Sequence, residues 1–201
     1  MGLGMTLPGK EKHFGTGLQN AKDIAIGIDQ SLTGFAFSAV SVNDPNLHET
    51  WVYKSPYNGV QRLYDISTWM RGKFMLLSGH RIVDIAMEGT VNASFSASVL
   101  GELAATVKLT LWVMFSKKEK LLATPLQIPP MTLKKYATGK GTSKKQEMLM
   151  QIYKRWQVEF NDDNAADAYA LARLAGKVSI DAMERGIVDQ ILDTKYRDTI
   201  Q

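Results

Sequence analysis

Residues 24–40 read IAIGIDQSLTGFAFSAV, and this stretch decides the fold. Residues 24–29 (IAIGID) are a short apolar run ending in the carboxylate of Asp29, and residues 34–40 (GFAFSAV) are a second strand-like run. Leu32-Thr33-Gly34 supplies the turn between them, and Asn43-Asp44-Pro45 supplies the next, before a third strand at 50–54 (TWVYK). The opening is therefore an antiparallel meander. An Asp at a strand end commonly forms a turn or caps a helix. Here a glycine-bearing turn and another strand follow, which leaves the Asp29 carboxylate free.

Working outward, Leu63, Ile66, Met70, Phe74 and Leu77 fall at helical spacing over 60–78, with Gly79 as a stop. Residues 82–88 (IVDIAME) predict a strand that also ends in an acid, Glu88. Glutamate is a poor strand residue, so Glu88 is either a surface residue at a strand end or a functional one. Residues 96–116 predict a long, mostly apolar helix buried on more than one side. Residues 120–124 (KLLAT) predict a fifth strand, and 131–137 a short helix. Beyond the loop at 138–142, Ser143 is the expected N-cap of a helix running to about 157. Residues 163–176 (DNAADAYALARLAG) predict another helix, and the polar segment 179–197 a final, exposed one. Three antiparallel strands followed by strands alternating with helices predict an α/β fold: a mixed five-stranded sheet flanked by helices.

The chain of 201 residues, 45% hydrophobic and 22% charged, fits one domain with a real core. The expected division is a flexible Gly-rich leader at 1–22, a domain at 23–178 and a helical extension at 179–201. Cysteine is absent, which excludes disulfides and thiolate zinc, and His13, His48 and His80 make no ligand spacing. No unbroken apolar run reaches the roughly 18–20 residues that span a bilayer, and the leader lacks the apolar core of a signal peptide. Met1, Gly2 and Thr6 match the loose myristoylation pattern. These features predict a protein that is not secreted and works in the cytoplasm or wherever the genome is processed, with a viral or organellar origin open.

Asp163 and Asp167 lie four residues apart, about 40° around a helix, and so share a face; Asn164 lies about 60° to the other side of Asp167. Attraction to the helix dipole explains Asp162 and Asp163. It explains Asp167 less well, because that residue sits among Ala165, Ala166, Ala168 and Ala170, where a helix packs closely on a sheet. A carboxylate there is costly to bury without a cation. Acids at two strand ends and one helix start can meet at one sheet edge, bind two hard divalent cations through oxygen, and so cleave a phosphodiester.

The net charge of +4 and pI near 9.2 favour a polyanionic partner. Lys134, Lys135, Lys140, Lys144 and Lys145 occur with no acid among them. Such a run is either a solvated face or a phosphate-binding one, with a Gly-Lys-Gly loop and a helix N-terminus to meet the anion. Phe95, between small polar residues (NASFSAS), is either a hydrophobic staple or a base-stacking group.

The run IAIGIDQSLTGFAFSAV resembles the first strand and hairpin of RuvC-type Holliday-junction resolvases, members of the RNase H-like superfamily. VDIAMEGTVNASFSASVLGELAATVKLTLW resembles their second acidic strand and helix, PPMTLKKYATGKGTSKKQEMLMQIYK their basic loop and helix, and NDDNAADAYALARLA their closing acidic helix. The resemblance spans residues 23–176 in family order. It implies a structure-selective endonuclease that uses two Mg²⁺ ions, with Mn²⁺ substituting. The implied substrate is branched DNA, a four-way junction nicked symmetrically by a homodimer to leave 5′-phosphates. Asp29, Glu88 and Asp167 match family acids. The remaining family acid falls on Asn164, so Asp163 stands as its substitute and Asn164 as the alternative ligand. The resemblance also implies that Lys134 and Lys144 contact DNA beside the scissile phosphate, and that Phe95 stacks at the junction centre. Competing expectations are a nuclease of the same fold acting on flaps, forks or hybrids, and a non-catalytic junction-binding protein. An actin-like ATPase, loosely suggested by GIDQSLTG, would need a second Gly-rich phosphate motif that this chain lacks.

Overall fold

Large and small residues alternate along IAIGID, and the alternation sorts the two faces of a sheet. The computed structural model describes residues 8–89, 97–192 and 196–197. Six strands form the sheet: β1 (Lys10–Gly15), β2 (Asp23–Asp29), β3 (Phe35–Ser41), β4 (His48–Lys54), β5 (Arg81–Glu88) and β6 (Leu126–Ile128), in the order β1-β4-β3-β2-β5-β6. The pairs from β1 to β2 are antiparallel, whereas β2–β5 and β5–β6 are parallel. This is the expected meander followed by parallel strands, with one strand more than expected.

Ile24, Ile26 and Ile28, with Phe35, Phe37, Ile85 and Met87, form the core beneath α1 (Gly59–Leu76) and α2 (Ala97–Phe115). Ala25, Ala36 and Ala86 face the other way, into a core built around α6 (Asp163–Ala175). A helix can approach a sheet this closely only over small residues. At Gly27 a Cβ would stand 2.0 Å from the Ala168 carbonyl oxygen and 2.3 Å from the Ala172 nitrogen. Around α6 on this side pack α4 (Pro130–Thr138), α5 (Lys145–Trp156) and α7 (Ala182–Ile191).

The structure corrects several expectations. Residues 10–15, expected within the leader, form the edge strand β1. It pairs with β4 along its length, Phe14 meets Phe160 edge-on at 5.7 Å, and polar pairs add to this: Glu11 pairs with Lys73 at 2.8 Å and accepts from the Trp69 indole, Lys12 pairs with Asp162 at 2.8 Å, and His13 pairs with Glu49. The Lys73 ammonium lies over the rings of Trp51 and Trp69, at 4.7 and 5.2 Å. Residues 120–124 are not a strand: Lys120–Ala123 make one helical turn, α3, and β6 starts only after Pro125. Lys144, not Ser143, precedes α5; the buried Ser143 hydroxyl instead pairs with Thr138 Oγ1 at 2.7 Å.

Burial of α2 is also narrower than expected. Leu103, Ala104, Val107 and Leu111 are buried, but Leu109 and Val113 are 63% and 66% exposed. Despite Glu102 and Lys108, Ser98–Phe115 is long and apolar enough on average to cross a membrane by length and composition alone. Conversely, α7 is docked rather than exposed. Its Glu184 is fully buried and accepts from Trp156 Nε1 at 2.9 Å and from Arg155 at 2.5 Å, beside buried Ile187 and Val188.

Candidate active site

The β2–β5 register sets the site. Gly27 lies opposite Ala86 and Ile28 opposite Met87, so Asp29 and Glu88 come next, side by side at the carboxyl ends of two parallel strands. By alternation both belong to the same face as Gly27 and Ala86, the face that α6 covers. From that helix Asp163 and Asp167 join the cluster, and both repel the Asp29 carboxylate. Asp162 caps the helix: its Oδ1 accepts from the Asn164 backbone N–H at 3.2 Å and the Asn164 side-chain amide at 3.3 Å. Asn164 thereby packs against Gly34, where a Cβ would fall 2.8 Å from Nδ2. The helix start thus directs Asp163 towards the other acids while the Asn164 amide is engaged by the cap.

Buried acids without enough counter-charge hold protons. Burial lifts Asp29 well above the usual carboxylate range, repulsion from Asp167, Glu88 and Asp163 lifts it further, and Lys145 partly opposes the rise. Asp167 is pushed up to about 7 by burial and by the charges of Glu88 and Asp163, against the pull of Lys145 and Lys134. Glu88 is also raised by burial, a rise moderated by Lys134, by a hydrogen bond with Asp29 and by Lys145.

No protein-family model matches the sequence, and no curated protein matches it. Among solved structures the chain is similar to Thermus thermophilus RuvC in complex with a Holliday junction substrate. The two share 19% identity with a TM-score of 0.55, over 74% of this chain and 90% of that one. A second Thermus thermophilus RuvC structure covers the same shares at 18% identity and a TM-score of 0.54. The fold is RuvC-like.

On this RuvC-like frame the lysines divide. Lys134, on α4, acts on Glu88 and Asp167, and Lys145, the first residue of α5, forms an ion pair with Asp163. Lys135, Lys140 and Lys144 are exposed. Phe95, Met1, Gly2 and Thr6 lie outside the described residues. Two neighbours of the acids carried no signal in the sequence. Lys12 belongs to a strand with no apolar alternation, and Gln30, next to Asp29, donates from Nε2 to the Glu88 carbonyl oxygen at 2.6 Å.

The donor set suits a hard divalent cation: carboxylate oxygens, no sulfur and no clustered imidazole. Its charge deficit, expressed as raised carboxyl pKa values, is what a cation would relieve. Among the described residues, however, no three acidic or histidine side chains converge closely enough to enclose one ion as they stand. The two observations differ in range. Repulsion acts across the whole cluster, whereas a cage needs oxygens within about 2.0–2.6 Å of the ion. Asp163 is engaged by its ion pair with Lys145.

Proposed function

We propose that this protein is a divalent-metal-dependent endonuclease that resolves four-way DNA junctions by paired symmetric nicks. The observation that carries the proposal is the meeting of Asp29, Glu88 and Asp167 on one buried edge, joined by Asp163 and flanked by Lys134 and Lys145. The likeness in fold to a RuvC solved with a Holliday junction substrate supports the choice of DNA.

Asp29, Glu88, Asp163 and Asp167 would hold two Mg²⁺ ions, for which Mn²⁺ can substitute. When bound, the ions supply an activated water and charge stabilisation at the leaving 3′-oxygen. The protein's own groups do the rest. The fixed strand ends orient Asp29 and Glu88, and α6 orients Asp163 and Asp167. Lys134 and Lys145 offset the charge that builds on the phosphate during cutting. Lys135, Lys140 and Lys144 extend the surface for the DNA backbone. The products carry 5′-phosphates and 3′-hydroxyls.

Two coordinated cuts suit a two-fold dimer. The exposed apolar side of α1 and α2, with Val60, Tyr64, Leu109, Trp112 and Val113, is the face we assign to it. A non-catalytic junction-binding protein is the second reading, favoured because among the described residues no three acids converge. Mg²⁺-dependent cutting of a mobile synthetic four-way junction, with strand mapping, separates the two. Asp29→Asn and Glu88→Gln should abolish cutting and retain junction binding. Normal cutting by either variant would refute the site, and faster cutting of flaps, forks or hybrids would reassign the substrate.

A further inference from the structure

The β2–β5 ladder ends at Ile28 and Met87, yet one more rung follows. It is made by a side chain: Gln30 Nε2 donates to the backbone carbonyl of Glu88 at 2.6 Å. This rung lies one residue from Asp29 and on Glu88 itself, so it ties together the two strand ends that carry acids. It also fixes the orientation of the amide. A carbonyl oxygen can only accept, so nitrogen must face Glu88, and Oε1 is left on the other side. Gln30 is 8% exposed, and its Oε1 is buried with no hydrogen-bond partner. A buried acceptor left unmade is costly and marks a place where a donor is expected.

We propose that Gln30 is a positioning residue of the acidic site: its Nε2 bond to the Glu88 carbonyl sets the spacing of Asp29 and Glu88. This rests on the metal-dependent reading above. Methionine would fill the same space without an orphan acceptor but would take the donor from the Glu88 carbonyl, so the donor and not the packing calls for glutamine.

The test is Mn²⁺ binding to the full chain without DNA, read from the electron paramagnetic resonance of the free ion. Wild type, Gln30→Met, Gln30→Asn and Asp29→Asn are compared, each shown by circular dichroism to be folded at the titration temperature. Gln30→Met keeps the length and removes both polar atoms, while Gln30→Asn keeps the amide on a stem too short to reach the Glu88 carbonyl. Each should weaken Mn²⁺ binding about tenfold, as loss of groups that orient metal ligands does elsewhere. If one variant fails to fold, the other carries the test. A purely structural role for Gln30 would lower the melting temperature and leave Mn²⁺ affinity at the wild-type value, and that result would overturn the proposal. If wild type binds Mn²⁺ no better than Asp29→Asn, the metal-dependent reading falls and Gln30's role falls with it. If wild type binds in an Asp29-dependent way and the Gln30 variants match it, only the assignment to Gln30 fails.

Discussion

Replacing Asp167 with Asn should stabilise the metal-free protein at alkaline pH while removing its proposed activity. In the fold Asp167 titrates at about 7 rather than its ordinary 3.8, because it is buried and faces Glu88 and Asp163. A raised carboxyl binds its proton more tightly folded than unfolded. The stability this proton contributes is complete below about pH 4 and is lost as pH rises through about 7. At ~1.4 kcal/mol per pH unit, the whole span is worth roughly 4 kcal/mol, of which about 2.5 kcal/mol falls between pH 5 and pH 8. These are upper figures, since Asp167 shares its protons with Asp29 and Glu88. Urea unfolding in EDTA at pH 5 and pH 8 measures the effect. Wild type should lose stability over that interval, and Asp167→Asn should lose less and be the more stable protein at pH 8. Added Mg²⁺ should stabilise wild type at pH 8 and the variant less. Equal pH dependence in the two proteins, or a variant less stable than wild type at pH 8, would refute the crowded buried cluster on which the site is built.

Other changes probe the supports of the site. Gly27→Ala drives a methyl group into the α6 backbone and should cost about 1–3 kcal/mol in urea unfolding, with junction cutting reduced further because Asp167 moves away from Asp29. Lys134→Ala and Lys145→Ala should each weaken junction binding across DNA sequences and reduce the slope of log K against log salt by about one; fluorescence anisotropy over a salt series reads both. Leu109→Glu combined with Val113→Glu should convert a particle of roughly twice the 22.3 kDa chain mass into a monomer by light scattering. If the wild-type chain already runs as a monomer, the dimer assignment is wrong.

The elements that position the acids were legible because their signals are local. Alternation in IAIGID and IVDIAME, the turn at Gly34 and the alanines around Asp167 each specify their element within a few residues. What could not be read depends on distant partners. β1 has no apolar face, since an edge strand held by Glu11, Lys12 and His13 looks like solvated chain until Lys73, Asp162 and Glu49 are brought to it. β6 is three residues long, too short for any period, and the apolar pair Leu121-Leu122 before Pro125 offered a more strand-like run that folds as a helical turn. Ser143 has the composition of a cap, yet its hydroxyl is taken by Thr138. For the site, the sequence placed Asp29, Glu88 and Asp167 on elements that the structure brings together. The pairing of Asp163 with Lys145 and the Gln30 rung depend on register and packing that sequence spacing does not encode.

The charged fastening of β1 has a practical consequence for how binding is measured. Most of this sheet is held by apolar burial that added salt does not weaken, but its outermost strand supplements its ladder with β4 by ion pairs, and the Lys12 pair ends on the cap of the very helix that carries Asp163 and Asp167. Exposed pairs of this kind weaken as ionic strength rises. A salt series meant to count phosphate contacts will therefore also loosen the protein's own hem. Comparing hydrogen exchange at β1 across the same salt range would separate what the DNA releases from what the strand releases.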